Sequence, residues 1–156
     1  MSGSTILGSV RPSVLNDCHV IAENIREDDR REILAMSGEE PLDAMVSGFI
    51  YSDNPRTVLV GDTPVAMFGS GEVEPGVGAV WLLGTDGIHD ISRQFLRESK
   101  HWLEQLHDNY EMLFNYVDER NTVHIKWLKW LGFKFINRHE QFGVENRPFF
   151  EFVRIN

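Results

Sequence analysis

Apolar positions along this chain change period repeatedly, and the changes divide it into helical and extended stretches. Val14, Cys18, Ile21 and Ile25 follow an i, i+4, i+7, i+11 order that predicts an amphipathic helix, after a strand over Ile6 to Val10 that Arg11-Pro12 ends. Asp29-x-x-Glu32 predicts a capping box opening a short helix through Met36, closed by Gly38. Pro41 is placed to start a third helix with Leu42, Met45, Val46 and Phe49 on its inner face.

From Thr57 the period falls to two. Thr57 to Val60, the turn Gly61-Asp62-Thr63, and Pro64 to Phe68 predict a hairpin; Gly78 to Leu83 predicts the next strand after a glycine-rich loop. Helical spacing returns between Ile91 and Tyr110, where Phe95, Leu96, Trp102, Leu103 and Leu106 share one arc and charged residues fill the other. A helix between strands ending near Leu83 and spanning Met112 to Val117 predicts a β-α-β crossover that makes those strands parallel. Phe133 to Asn137 and Phe149 to Ile155 predict a terminal antiparallel pair. The sum is an α+β domain over 1–156 with a mixed central sheet of about seven strands and flanking helices.

The stretch from Asn115 to Phe133 carries the strongest local signal. It reads as strand, turn, helix, glycine stop and strand, with Asn121 suited to a helix N-cap and Gly132 to the left-handed residue that ends a helix. Asn121, His124, Ile125, Leu128 and Leu131 share one arc of that helix, which predicts that most of it is buried, with Trp127 and Trp130 packing it. Its first turn offers free backbone N–H groups beside a side-chain amide.

Asn121-x-x-x-Ile-Lys-Trp-Leu-x-x-Leu-Gly-Phe resembles the Asn-x-x-Ala-x-x-Leu-Tyr-x-Lys-x-Gly-Phe signature of the GNAT superfamily of N-acetyltransferases, with the Asn-to-Gly spacing matched. Together with Trp81-Leu82-Leu83-Gly84-Thr85-Asp86 and the helix holding Phe95-Leu96-Arg97, the chain also resembles a family of small phage-encoded GNAT-like proteins that includes the internal virion protein A of short-tailed phages.

The resemblance implies a GNAT-like fold with a splayed parallel pair at the centre of the sheet and acetyl-coenzyme A in the slot. It implies cofactor contacts from the backbone of Leu82, Leu83 and Gly84, from the turn at Thr85, and from Asn121 and Trp127. Arg93 is the candidate cation for the pyrophosphate.

Two departures from that family stand in the sequence. The glycine-rich pyrophosphate turn is absent, and Thr85-Asp86-Gly87-Ile88-His89-Asp90 stands there with two aspartates. Leu128 occupies the position of the tyrosine that protonates the departing thiolate, so His124, Tyr116 or Asn115 is left to handle protons, His124 having the pKa suited to neutral-pH work. Two functions remain open: acetyl transfer to an amine of a host protein or small molecule, and a catalytically weak or inactive binding protein or virion component.

Composition narrows this further. Of 156 residues, 24 are acidic and 15 are Lys or Arg, and a net charge of −9 argues against sequence-independent nucleic-acid binding. Eight of the basic residues lie between Arg93 and Arg138, and eight acids between Glu23 and Asp43, so an anion is favoured by the C-terminal half. The acid run Glu27-Asp28-Asp29, with Glu27 and Asp28 foremost, and Asp118 are candidates to receive a basic substrate or a basic host-protein segment. Cys18 is the sole cysteine, which excludes an intrachain disulfide, and a buried thiol is expected.

The histidines are scattered without metal-ligand spacing, and no Gly-x-Ser-x-Gly turn marks a hydrolase. No apolar run approaches the roughly 18 to 20 residues of a membrane span, and Met1 to Thr5 lacks the charged start of a signal peptide. A cytosolic protein is expected, which the phage resemblance makes the host cytoplasm or the virion.

Overall fold

The computed structural model describes residues 8–156, so Ile6 and the Met1 to Thr5 segment lie outside the described residues. The elements run β1 (Gly8–Pro12), α1 (Leu15–Glu23), α2 (Glu27–Ser37), α3 (Pro41–Tyr51), β2 (Arg56–Val60), β3 (Thr63–Glu74) and β4 (Val77–Gly84). A 3-10 turn (Asp86–Asp90) follows, then α4 (Ser92–Arg97), α5 (Ser99–Leu106), β5 (Met112–Asp118), α6 (Thr122–Trp130), β6 (Lys134–Phe142) and β7 (Arg147–Ile155). The strands form one seven-stranded sheet in the order β1-β2-β3-β4-β5-β7-β6. Every neighbouring pair is antiparallel except β4 and β5, the pair joined by the crossover.

Strand alternation sends side chains to two separate cores. Met67, Trp81 and Leu83 face α1 and α3, packing with Cys18, Ile21 and Met45. Phe68 and Leu82 face the other way, toward Ile88 and Phe95. Beside them Val80, Leu113 and Val117 pack with Leu103 and Leu128, which seats α5 and α6 on that same face.

Several local expectations are corrected. The stretch from Ile91 to Tyr110 is not one helix. It breaks at Glu98, so that α4 delivers Phe95 to one cluster and α5 delivers Leu103 to the next, following the twist of the sheet. Tyr110 lies beyond α5 and donates its hydroxyl to Asp53 at 2.5 Å. The glycine-rich loop is largely strand, because β3 runs on to Glu74 and pairs with β4 around a tight turn at Gly76.

Val14 and Ile25 leave the arc they were expected to share with Cys18 and Ile21. Val14 sits at the N-cap of α1, 53% exposed, and Ile25 forms a bridge with Thr85. Trp130 is 67% exposed rather than packed against its helix.

Gly38 and Gly132 end α2 and α6 in the left-handed region, as expected. Gly143 has a third, tertiary role. At φ +73 a Cβ there would stand 2.3 Å from the Ala35 carbonyl oxygen. The close approach lets the N–H groups of Val144 and Glu145 donate to Met36 O and Ala35 O, both at 3.2 Å, which seals the end of α2 under the β6–β7 loop.

Candidate functional site

The β4–β5 ladder has only three registered pairs and stops at Ala79 opposite Phe114. At the next rung the Asn115 side chain intervenes. Its Nδ2 donates to Val80 O at 2.8 Å and its Oδ1 accepts from Tyr116 N at 2.8 Å. A carboxamide thus replaces a direct backbone contact, and the strands diverge beyond it.

Alternation along β4 turns the N–H and C=O of Leu82 and Gly84 toward the gap, while those of Leu83 pair with Met67 of β3. Leu82 is therefore the residue of β4 whose backbone faces the opening without a strand partner. The Leu83 backbone is not free for the ligand contact that the resemblance implied.

The upper end of the gap is filled by α2. Gly84 N–H donates to Asp29 Oδ2 at 3.0 Å, and Arg26 N–H donates to Gly84 O at 2.8 Å, so both backbone groups of Gly84 are taken. Across the gap, Asp118 N–H donates to Glu32 Oε1 at 2.8 Å. Helical periodicity puts Arg26, Asp29 and Glu32 on one face, three residues apart, and that face points into the split sheet. Asp29 and Glu32 were expected to cap this helix; instead α2 begins at Glu27 and both lie buried within it.

Asn121 is wholly buried at the N-terminus of α6, but its side chain makes no cap. Its Nδ2 donates to Asp29 Oδ1 at 3.0 Å, and its Oδ1 has no partner. Arg26 Nη1 donates to the same Asp29 oxygen at 3.1 Å. Burying such a cluster costs more than surface pairing returns unless each charge is met by hydrogen bonds, which the amide, guanidinium and backbone groups supply. Burial foremost, and then the charge of Asp29, pushes the Glu32 carboxyl up to about 8, against the pull of the Asp118 N–H and the Asn121 amide.

Two cavities flank the divergence on opposite faces of the sheet. One, of about 60 Å³, lies toward α4, α5 and α6 and is almost entirely apolar, with Leu82, Phe95, Trp127 and Leu128 among its walls. The other, of about 150 Å³, lies toward α2 and α3 and contains Glu32, Asn115 and Tyr116. His124, Leu82, Trp81, Val80 and Phe152 line both.

The His124 ring is half-buried and stands where the two spaces meet, with Nδ1 shielded and without a partner. Burial pushes the imidazole below its ordinary pKa; the Arg26 charge acts the same way and the Asp29 charge against it. Burial, with the Glu151 charge, raises the Tyr116 phenol.

The other sequence candidates are dispersed. Trp127 lines the apolar cavity, with the Arg26 guanidinium 6.0 Å over its ring. Thr85 is buried, and its hydroxyl accepts from Gly87 N at 3.2 Å, so the turn after β4 caps itself and spends one of the N–H groups expected to meet a pyrophosphate. Arg93 is exposed on a six-residue helix.

Among the acids, Glu27 and Asp28 are paired with Arg30, Arg31 and Arg26 at the surface end of α2. Asp118 is buried and forked onto Arg120, at 2.7 Å from its Nη2, and lines neither cavity. No grouping of His, Cys, Asp and Glu among the described residues could hold a metal, and no helix there is long and apolar enough to cross a membrane.

Arg26 and Glu32 are the site residues that sequence reasoning missed, and Asp29, read there as part of an acid run open to a basic substrate, is instead buried between Gly84, Arg26 and Asn121. Their i, i+3, i+6 spacing was visible, but within a run of charges such spacing reads equally as a solvated face.

The profile of the family described as "Bacteriophage T7, probable scaffold protein Gp13" matches residues 58–140. No curated protein matches the chain by sequence.

Among solved structures, Ard1 from Thermoplasma volcanium is similar with a TM-score of 0.67 at 14% identity, over 95% of this chain and 97% of that one. An acetyltransferase of the GNAT family from Streptococcus pneumoniae aligns with a TM-score of 0.62 at 12% identity, over 96% and 99%. Aminoglycoside acetyltransferase AAC(6')-Ib, solved with coenzyme A, aligns at 0.66 and 13%, over 96% and 95%. The seven-stranded mixed sheet with its single parallel pair is the GNAT fold.

Proposed function

The chain belongs to the phage family described as Bacteriophage T7, probable scaffold protein Gp13, and from that membership and its split sheet we propose a phage-encoded protein that binds acetyl-coenzyme A and transfers acetyl to an amine. The observation that carries this reading is the junction at His124, where an apolar slot on one face and, on the other, a cavity that holds Glu32, Asn115 and Tyr116 among apolar walls share Leu82 and the imidazole. A thioester in the slot and an amine in the cavity would meet there.

The donor set fits the thioester arm and departs from the family at the nucleotide end. Leu82 offers a strand N–H to the thioester carbonyl, and Trp127 a flat wall for the pantetheine. His124, neutral at physiological pH and unpartnered at Nδ1, is placed to move a proton between the two reacting groups, with Tyr116 beside the cavity as the next candidate. Asn121 and Gly84 enter the site only through α2 and the residue that opens it, Asn121 by way of Asp29 and Glu32 and Gly84 by way of Asp29 and Arg26, since neither lines a cavity. The acceptor would be an amine of a host protein or small molecule, met in the infected cell or carried in the virion.

A second reading has its own support. The start of α2 occupies Gly84, Leu128 is a core residue where the superfamily has its acid, and the family description names a scaffold. In that reading the fold is kept as a binding or internal virion component without turnover.

A thermal shift separates the two. Acetyl-coenzyme A at about 100 times its dissociation constant should stabilise the protein by about 2.7 kcal/mol. His124→Gln should keep that shift while turnover drops by about 10² or more. An absent shift at millimolar ligand favours the non-catalytic reading.

A further inference from the structure

A third cavity lies at the C-terminal end of α5, between that helix and the start of β2. It holds about 350 Å³, inside the roughly 300–1,000 Å³ of ordinary small-molecule sites. It shares only Phe68 and Leu106 with the apolar slot and no residue with the cavity under α2 and α3.

Arg56 gives this cavity its chemistry. It opens β2, where alternation puts Arg56, Val58 and Val60 on one face, and the two valines pack with Ile91 and Phe95. The arginine continues that apolar row and lines the space beside α5. It is half-buried, its Nε is shielded and meets no acceptor, and its guanidinium forms no ion pair among the described residues. A guanidinium partly withdrawn from water without an acceptor is costly, and a carboxylate that accepts its fork of N–H groups removes that cost.

The rest of the lining excludes a plain anion. Asp53, Glu104 and Asp108 stand around the same cavity, three carboxylates against one guanidinium and one histidine. Asp53 is held in place, its Oδ2 accepting from the Tyr110 hydroxyl at 2.5 Å and its N–H donating to Ser70 O at 3.0 Å. Ser70 Oγ in turn donates to Leu106 O at 2.9 Å, which ties the end of α5 to the sheet.

Phosphate or a dicarboxylate brought to Arg56 would meet that surplus of like charge. The ligand that fits presents cations to the acids as well as a carboxylate to the arginine. Phe68, held edge-on by Phe95 and Trp102, and Leu106 supply an apolar floor for a hydrocarbon stem between them.

We propose that this cavity binds a free α-amino acid with a cationic side chain, its carboxylate forked onto Arg56 and its two cationic groups shared among Asp53, Glu104 and Asp108. The site is independent of acetyl transfer. Its occupant is bound, and no group passes to or from it.

The test is a matched ligand series on the full chain without acetyl-coenzyme A, with affinities read by NMR chemical-shift titration of the isotope-labelled protein. L-lysine is compared with cadaverine, which is lysine without its carboxylate, and with hexanoate, which keeps the carboxylate and lacks both ammonium groups. L-leucine and inorganic phosphate complete the series. Lysine should bind at least about 10-fold more tightly than each of the others, with the Ser70 and Tyr110 amides among those that move.

Arg56→Met keeps a stem in the apolar row and has no ion pair to lose, so it should fold with a urea midpoint at or above that of the wild type. It should lower the affinity for lysine by at least about 10-fold and leave that for cadaverine unchanged. The double variant Glu104→Gln and Asp108→Asn should narrow the preference for lysine over leucine and improve the binding of hexanoate.

Equal affinity of the wild type for lysine and cadaverine overturns the proposal, because the carboxylate is then not read. Tighter binding of hexanoate or phosphate overturns it as well and makes the cavity a plain anion site. So does an unchanged lysine affinity in Arg56→Met, or the absence of shifts around the cavity at tens of millimolar lysine. The series on the wild type decides the matter whether or not the variants fold.

Discussion

Asn115 donates from Nδ2 to the carbonyl of Val80 at 2.8 Å, a side-chain amide standing in the place of a rung between parallel strands. With its Oδ1 on Tyr116 N–H, the one side chain satisfies a backbone group on each strand while holding the strands apart. The split in the sheet therefore has a specific cause, and the two cavities exist because of it.

Asn115→Ala should then destabilise the fold, because it leaves the Val80 carbonyl and the Tyr116 N–H half-buried without partners. A loss of about 1–3 kcal/mol is expected, read as a lower urea midpoint. A variant with wild-type stability would mean that the strands close on each other once the wedge is gone. Loss of any acetyl-coenzyme A shift would then accompany it.

Asn121 occupies an N-cap position without capping, and this separates two explanations of its importance. Asn121→Ala should cost about 1–3 kcal/mol through the lost bond to Asp29, and Asn121→Ser should recover little of it, since no side-chain cap existed to restore. Full recovery by serine in chemical denaturation would show that the cap, rather than the Asp29 contact, carries the stability.

Glu32 makes stability depend on pH in a direction opposite to that of an ordinary salt-bridged acid. Its folded pKa of about 8 lies above the unfolded value of 4.5, so between these the folded state holds a proton that the unfolded state has released. Stability is full below the unfolded value and is lost as pH rises toward about 8, by up to about 1.4 kcal/mol per pH unit.

His124 runs the other way. Its folded pKa is depressed, so its contribution is present above the unfolded histidine range and lost as pH falls. Because His124 is common to both proteins, the difference between Glu32→Gln and wild type isolates the acid. That difference should be smallest near pH 5 and grow in favour of the variant up to about pH 8, as measured by urea midpoints across the range. A constant difference would place Glu32 in contact with water.

What was legible beforehand was mostly local. The Gly38 and Gly132 stops, the Pro41 helix start, the hairpin at Gly61 and the parallel pair closed by a crossover all follow from turn chemistry and periodicity acting over a few residues. Where an expectation failed, a distant partner had overruled a local preference. Asp29 and Glu32 fit a capping box by spacing, but Gly84 and Asp118 supply N–H groups that only a carboxylate entering the sheet can meet. The Ile91 to Tyr110 stretch had the arc of one helix, but its apolar residues belong to two clusters under a twisted sheet, and the helix breaks to serve both.

The sequence by itself determined the α+β order of elements, the crossover that makes β4 and β5 parallel, and the presence of an Asn-headed helix after β5. Each of these depends on side-chain period and on backbone preferences at glycine and proline, which are properties of short segments. Only the tertiary structure decided which acids are solvated and which are buried, and so where a proton can be held. Asp29 and Asn121 meet at 3.0 Å across 92 residues of chain. Nothing in either segment alone distinguishes that buried contact from a polar face turned to water, because the desolvation that gives Glu32 its raised pKa appears only when α2, β4, β5 and α6 close around it.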